Sequence, residues 1–292
     1  MTTRRILATS GGMVAGPVQM TWRVGKMVLD ALALTKKDRP RVCLVETAGG
    51  EAGQIYRVEL DGTTTTTVTI EGGALLGLAL DRDGFLYVCD PGNHQVWRIT
   101  AESTYEPFGG AIDYPNYAAF GPDGRLFVSD SGSFDEATGQ LFVIDADGAT
   151  TNVTPRPIAF ANGLCVDATT LWVVESSAPG VSAMALGGGP LELVIPMERC
   201  VPDGLALDAG GGLLISCYQP NQLWRWTREE GLQLLFEDWT GEYVLSPTNV
   251  AFYGETLERL ALASLCGDRI VTVRPPQPGV AVFYPFQQSE MT

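Results

Sequence analysis

Residues 77–90, GLALDRDGFLYVCD, decide the fold. This stretch consists of a segment that alternates apolar and other residues, an Asp-x-Asp-Gly turn, and a second alternating segment. A period of two is typical of β-strands, and the turn residues tolerate positive φ. The stretch therefore predicts two antiparallel strands joined by a tight turn.

The same pattern returns further along the chain, as YAAFGPDGRLFVSD (117–130), GLCVDATTLWVVES (163–176), GLALDAGGGLLISC (204–217) and NVAFYGETLERLALAS (249–264). A third strand follows each pair, as in QVWRI (95–99) and QLWRW (222–226). A fourth is usually discernible. Internal repeats built from four short strands are typical of propeller blades.

The spacing of these repeats gives the number of blades. The residues just before the first strands are Leu76, Asn116, Asn162, Asp203 and Thr248, with separations of 40, 46, 41 and 45 residues. A further step of 46 back from Leu76 reaches Asp30, followed by ALAL (31–34), RVCLVE (41–46) and IYRVEL (55–60) as strands. We therefore predict an all-β, six-bladed β-propeller with a divalent-cation site on its central axis, formed as one domain by residues 1–292. An atypical segment, 1–50, forms or completes the first blade, and residues 4–8 (RRILA) are a candidate to close the ring beside 280–285.

Composition limits the partners and the compartment. The net charge is −15 and no stretch collects Lys and Arg, so neither nucleic acid nor an anionic membrane is an expected partner. No span approaches transmembrane length, and the N-terminal apolar run is too short for a signal peptide. The six cysteines form no C-x-x-C pair, which favours buried thiols in a reducing compartment over a zinc cage. The expected location is therefore the cytoplasm, and the oligomeric state stays open.

The first strand of each propeller blade lines the central channel, so the residues before these strands are expected to converge at one mouth. The predicted set is Asp30, Leu76, Asn116, Asn162, Asp203 and Thr248. Its carboxylates and amides are hard oxygen ligands that suit Ca²⁺, with Mg²⁺ or Mn²⁺ as substitutes, whereas Zn²⁺ is less favoured without Cys or His. The alternative interpretation is that Asn-Gly (162–163) and Asp-Gly (203–204) are simply turn dipeptides.

Four segments, PNYAAFGPDGRLFVSD (115–130), FANGLCVD (160–167), VPDGLALD (201–208) and SPTNVAFYG (246–254), resemble the senescence marker protein/gluconolactonase family, which includes regucalcin and drug-responsive lactonases. LALASLCGDRI (260–270) adds to this likeness, which covers about residues 74–285. Members of this family are six-bladed propellers with an axial divalent cation, and they are commonly calcium-dependent lactonases. The resemblance therefore implies a calcium-dependent lactonase acting on a small molecule.

The resemblance also implies roles for single residues. Asn162 matches a metal-binding Asn, and Asp203 matches a metal-binding Asp that also serves as the proposed base or proton shuttle. Asn116 matches an Asn that contacts substrate or metal, while Tyr117 beside it and Thr248 at the mouth are expected to contact substrate. The family's first-blade Glu has no matching motif here; Asp30 holds its register, with Glu46 as the alternative acid.

The N-terminal segment carries a second resemblance. Residues 1–50, with ILATSGG and LALTKKDRPRVCLVETAGG, resemble the opening of dipeptidase E/cyanophycinase-like proteins. Those proteins are serine hydrolases of α/β fold, but no G-x-S-x-G elbow occurs here, so no peptidase activity is implied. If the segment was recruited as a first blade, residues 19–34 could be helical.

The resemblance thus implies a cation-assisted hydrolysis of a lactone or related ester, in which Asp203 takes a proton from water. The only histidine, His94, is expected in a solvated turn, which argues against histidine chemistry. Glu175 is expected to be an exposed acid at a strand end. Two rival functions stay open: a condensing enzyme similar to strictosidine synthase, and a non-catalytic NHL-like binding propeller. Metal dependence of activity would separate the lactonase from a binding propeller.

Overall fold

The structure, a computed structural model, describes residues 6–10, 42–46, 52–58, 64–81, 85–101, 104–253, 256–265 and 270–281. All regular elements in these ranges are β-strands, and none of the described residues form a helix able to cross a membrane. The strands are β1 Ile6–Ser10, β2 Val42–Glu46, β3 Ala52–Val58, β4 Thr64–Glu71, β5 Leu78–Leu80, β6 Leu86–Asp90, β7 Gln95–Ala101, β8 Thr104–Pro107, β9 Pro115–Phe120, β10 Leu126–Asp130, β11 Gln140–Ile144, β12 Thr150–Asn152, β13 Ala161–Val166, β14 Thr170–Glu175, β15 Gly180–Ala185, β16 Glu192–Pro196, β17 Val201–Leu207, β18 Leu213–Gln219, β19 Gln222–Thr227, β20 Gly231–Glu237, β21 Pro247–Tyr253, β22 Arg259–Ser264 and β23 Val271–Val273.

The fold is an all-β propeller, in which each sheet is made of strands consecutive in the chain. Five sheets have four strands, and β21–β22–β23 form a sheet of three. The prediction of six four-stranded blades is therefore wrong by one: the described residues contain five complete blades. The reason lies after β23, where Pro275, Pro276 and Pro278 lack the amide hydrogen that a fourth strand needs. Gly279 forms an isolated bridge to Asp208, and its amide donates to the Leu257 carbonyl at 2.8 Å.

The first sheet differs from the others in its first strand. β1 pairs in parallel with β2, whereas all other strand pairs found among the described residues are antiparallel. The first strand of this sheet is therefore 6–10. The predicted first strand, 31–34, lies outside the described residues. The expectation that RRILA adds to the last blade is wrong in its pairing, because the hydrogen bonds of β1 go to β2, although β1 also lies against β21 and β22.

The chain divides into two compact units. The first unit comprises Met1–Leu75 and Cys200–Val280, and the second comprises Leu76–Arg199 and Ala281–Thr292. The expectation that residues 1–292 form one domain stays a prediction.

Two second strands of the second unit are buried throughout. In the second unit every residue of β6 and β10 is buried, because side chains on both faces of these strands pack against neighbouring strands. Cys89 in β6 belongs to this core, and Cys200 and Cys217 are buried in the first unit. All three are free thiols, which confirms the expectation of buried thiols for them, whereas the free thiol Cys165 is only half-buried. Trp97 lies on a third strand, as predicted.

Candidate active site

The structure places the predicted site residues at the start of inner strands. In the second unit, Asn116 and Asn162 are the second residues of β9 and β13. In the first unit, Asp203 lies near the start of β17 and Thr248 near the start of β21. Asp30 lies outside the described residues.

A buried serine fixes the Asn116 amide in the second unit. Asn116 Nδ2 donates to Ser131 Oγ at 2.8 Å, and Ser131 Oγ in turn donates to the carbonyl of Ala161 at 2.8 Å. The Ser131 amide donates to the carbonyl of Tyr114 at 3.0 Å. One side chain thus connects the start of β9 to the start of β13 and sets the orientation of the Asn116 side chain.

A second serine, Ser129 in β10, makes a similar connection two residues before Ser131. Ser129 Oγ accepts from the Tyr117 amide at 3.1 Å and donates to the carbonyl of Asn162 at 2.8 Å. Ser129 is completely buried, so both bonds are shielded from water. The main chain that carries Asn162 is therefore held by β10 as well as by its own sheet.

Asn162 is oriented in the same way as Asn116. Its Nδ2 donates to the buried Ser176 Oγ at 3.2 Å, and Ser176 follows directly after β14, as Ser131 follows β10. In both residues the amide nitrogen is occupied, whereas Oδ1 makes no hydrogen bond to any described residue. Each amide oxygen is therefore oriented as a free acceptor, suited to a cation or to a substrate hydroxyl.

Asp203, in the first unit, is a half-buried acid. Its carboxylate makes neither a hydrogen bond nor an ion pair within the part of the chain that the structure describes. Burial raises its pKa from 3.8 to about 8. The neighbouring Tyr218 has a raised pKa as well, because of its own burial and the nearby Asp203 charge. A carboxylate without partners in such a place is a typical metal ligand or proton acceptor.

The glycine after Asp203 is required by space. Gly204 lies inside β17, where a Cβ atom would come within 2.7 Å of the Thr248 carbonyl oxygen. Gly77 in the second unit meets the Asn116 carbonyl oxygen in the same way, at 2.5 Å. The interpretation of Asp-Gly (203–204) as a turn is therefore wrong, since the pair lies within a strand. Asn-Gly (162–163) likewise lies within β13.

Thr248 and Tyr117 differ in what they offer a substrate. The Thr248 hydroxyl is buried and has no hydrogen-bond partner among the residues that the structure describes, so it can donate to a bound molecule. Tyr117 is half-buried and packs against the core of the second unit. A substrate contact through Thr248 or Tyr117 stays a prediction.

Glu175 was expected to be exposed and is not, whereas His94 lies in a solvated turn as expected. Glu175 is buried, not exposed, and its carboxylate lies 2.5 Å from Arg156 Nη2. Burial would raise the pKa of Glu175, but hydrogen bonds from Arg156 and Ser182 outweigh it and lower the pKa. This acid is therefore structural. His94 is exposed in a turn, and its Nδ1 lies 2.5 Å from the Asp113 carbonyl oxygen.

Sequence reasoning missed the serines that orient the two Asn side chains. The sequence carried one signal for them: an acid followed by a serine occurs at 130–131 and again at 175–176, where the second strand of each of two blades ends. Among the described residues no group of three or more His, Cys, Asp or Glu side chains could hold a metal ion. A metal site formed by Asp30, Asn162 and Asp203 therefore stays a prediction.

Removing the Ser131 hydroxyl is expected to destabilise the second unit. Ser131→Ala leaves the Ala161 carbonyl and the Asn116 amide without their partner, at a cost of about 1–3 kcal/mol in the free energy of unfolding. Ser177→Ala is the matched control, because the Ser177 hydroxyl makes no hydrogen bond to any described residue. Urea denaturation measures both variants, and equal stability of the two would contradict the role of Ser131.

Comparison with known proteins gives a family and a fold. The sequence matches the family described as "SMP-30/Gluconolactonase/LRE-like region" over residues 51–265, which is most of the chain. These residues include Asn116, Asn162, Asp203 and Thr248. A search of curated protein sequences gave no significant match.

Several solved structures share the fold at low sequence identity. A gluconolactonase from Xanthomonas campestris is 19% identical, with a TM-score of 0.63, over 76% of this chain and 79% of that chain. A calcium-binding regucalcin from Agrobacterium tumefaciens is 18% identical, with a TM-score of 0.64, over 80% and 85%. A luciferin-regenerating enzyme is 17% identical, with a TM-score of 0.66, over 80% and 88%.

Proposed function

Because this chain belongs to the SMP-30/gluconolactonase/LRE-like family, we propose that it hydrolyses a lactone or related cyclic ester with the help of a bound Ca²⁺ ion. The observation that carries the proposal is the Asp203 carboxylate, which is half-buried and has no partner among the described residues. A buried carboxylate without a partner lowers the stability of the folded protein, which points to a role of this carboxylate in function.

The chemistry of the donor atoms fits a hard cation. The ligands proposed from the sequence are Asp203 in the first unit and Asn162 in the second, and both offer oxygen atoms without a described hydrogen bond. Ca²⁺ takes carboxylate and amide oxygens, and Mg²⁺ or Mn²⁺ are substitutes. A divalent cation bound to a lactone polarises its carbonyl group and lowers the pKa of a bound water.

Asp203 supplies the proton transfer in this proposal. Its carboxylate accepts a proton from the attacking water while the new C–O bond forms, and it returns that proton to the alkoxide when the ring C–O bond breaks. A cation bound beside Asp203 would keep this carboxylate ionised despite its burial, and therefore able to accept a proton. Asn116 orients the substrate through its free Oδ1, because Ser131 holds its Nδ2. The Thr248 hydroxyl donates to a substrate oxygen.

Calcium dependence is the direct test. We expect calorimetry to show binding of Ca²⁺ to the wild-type protein, and a chelator to lower lactone hydrolysis by about 100-fold or more, in keeping with the contribution of a Lewis acid to such reactions. Added Ca²⁺ should restore the rate, and a chelator saturated with Ca²⁺ is the control.

Other outcomes would favour the rival functions. Binding of no divalent cation, together with activity on an amine and an aldehyde, would favour the condensing enzyme. Binding of no cation and no activity on any of these substrates would favour a binding propeller.

A further inference from the structure

The second unit has an exposed aromatic side chain close in the chain to the proposed site. Phe134 is 44% exposed and lies in the connection 131–139 between β10 and β11. The two equivalent connections of this unit, 91–94 and 176–179, are shorter and carry no phenylalanine, tyrosine or tryptophan. Single exposed apolar side chains are common on protein surfaces, and what distinguishes Phe134 is that it is paired with a second ring.

The loop that carries Phe134 is well fixed. The Ser133 amide donates to Thr138 Oγ1 at 2.8 Å, and the Gly132 amide donates to Asp130 Oδ1 at 3.0 Å. The Gly139 amide closes the loop by donating to the Ile158 carbonyl at 2.8 Å. Phe134 is therefore presented on an ordered loop, which lowers the entropic cost of binding a ligand against it.

A second ring holds Phe134 in a defined orientation. The Phe134 and Phe160 rings lie 5.1 Å apart between centroids, with an interplanar angle of 65°, the edge-to-face geometry that aromatic rings prefer. Phe160 has a φ of 56°, an uncommon conformation for a bulky residue. The Phe160 carbonyl accepts from the Ser176 amide at 3.2 Å, which helps to hold that conformation.

The ring pair and Asn162 share an anchor. Ser176 donates its amide hydrogen to Phe160 and accepts from Asn162 Nδ2 through its hydroxyl. Phe160 also precedes Asn162 by only two residues. Phe160 directly precedes β13, and the connection that carries Phe134 directly follows β10, so both rings lie at the end of these strands where Asn162 stands. An aryl group that covers the rings would remove apolar area from water.

We propose that the Phe134–Phe160 pair binds an aryl substituent of the substrate, so that this protein acts on aryl-substituted lactones in preference to unsubstituted ones. The inference rests on the proposed lactone hydrolysis for its reaction and on the ring pair for its specificity. The adjacent Asp135 and Glu136 are exposed acids, which disfavours a phosphorylated or acidic substituent. Phe134 is thus a specificity-determining residue.

The test compares two substrates that differ only in the aryl group, γ-phenyl-γ-butyrolactone and γ-butyrolactone. We expect Phe134→Ala to raise KM for the phenyl lactone by about tenfold, the loss typical of one aromatic contact, and to leave KM for γ-butyrolactone unchanged. Phe134→Tyr should retain most of the preference, and Glu136→Ala in the same loop is the control. An equal effect of Phe134→Ala on both substrates, or none on either, would overturn the inference.

A binding measurement keeps the inference testable if no lactone is hydrolysed. Calorimetry with γ-phenyl-γ-butyrolactone should then show binding to the wild-type protein that Phe134→Ala weakens about tenfold. That result would retain the aryl site while the proposed hydrolysis fails. The absence of binding to the wild-type protein, or equal affinity of both proteins, would overturn the aryl site itself.

Discussion

Asp203→Asn is expected to lower kcat/KM for lactone hydrolysis by about 10³-fold or more, because it removes the proposed proton acceptor and a proposed cation ligand together. The amide has almost the same shape as the carboxylate, so the strand and its close contact at Gly204 are retained. Calorimetry on the same variant should show that Ca²⁺ binding is lost or much weakened.

The same substitution should stabilise the protein in the absence of cations. Burial raises the pKa of Asp203 from 3.8 to about 8, so ionisation costs free energy in the folded state that it does not cost in the unfolded chain. Stability of the wild-type protein therefore falls as the pH rises from about 4 to 8 through this group, while the variant avoids that loss. We expect a higher Tm for the variant at pH 8 in a chelator, and addition of Ca²⁺ should reverse the order.

Glu229→Gln is the control, because it removes one negative charge from an exposed turn of the same unit. Its activity and its Tm should equal those of the wild-type protein. Asp203→Asn with unchanged activity would exclude Asp203 as the base. An unchanged order of Tm with and without Ca²⁺ would exclude it as a ligand.

The second large effect concerns stability. Arg225→Met should lower the free energy of unfolding by about 3–5 kcal/mol, because it leaves the buried Asp208 carboxylate without its cation. Arg225 Nε lies 2.6 Å from Asp208 Oδ2, and the two side chains are only 8% and 0% exposed. The amides of Gly210 and Gly212 also donate to Asp208, so this acid cannot move to water without opening the turn after β17.

An exposed ion pair of the same unit provides the control for this variant. Arg274 and Glu258 lie 3.9 Å apart and are 69% and 55% exposed. Arg274→Met should therefore cost at most about 1 kcal/mol. Chemical denaturation of both variants decides the matter, and similar losses in the two would show that burial of Asp208 is not what makes its ion pair important.

The repeat made most of the fold predictable, because blades of similar length repeat the same turn and the same alternation. The first blade was not predictable in the same way. Its inner strand is β1, which pairs in parallel with a strand that follows it only after a long intervening segment. Turn residues and alternation report on antiparallel neighbours joined by short loops, and they carry no signal for such a pairing. The absence of a described fourth strand after β23 was predictable from the three prolines that follow β23.

The site shows the same division between local and distant information. The positions of Asn116, Asn162 and Asp203 at inner strands follow from their shared register. Their hydrogen bonds could not be predicted in this way. Ser131 and Ser176 bind side chains of the neighbouring strand, and no short-range pattern in the sequence indicates which hydroxyl binds which amide. Glu175 was misjudged for that reason: its partner Arg156 lies in an irregular segment of the preceding connection, and only the folded chain brings them together.

The placement of β1 has a consequence for the speed and order of folding. β1 is near the beginning of the sequence, yet it lies against β21, which is close to the other end. Contacts between residues so far apart in the chain form late and slowly, because a large loop must close before they are gained. During synthesis β1 is therefore made long before β21, the strand against which it packs. In refolding experiments we expect a slow final phase that reports on the first unit.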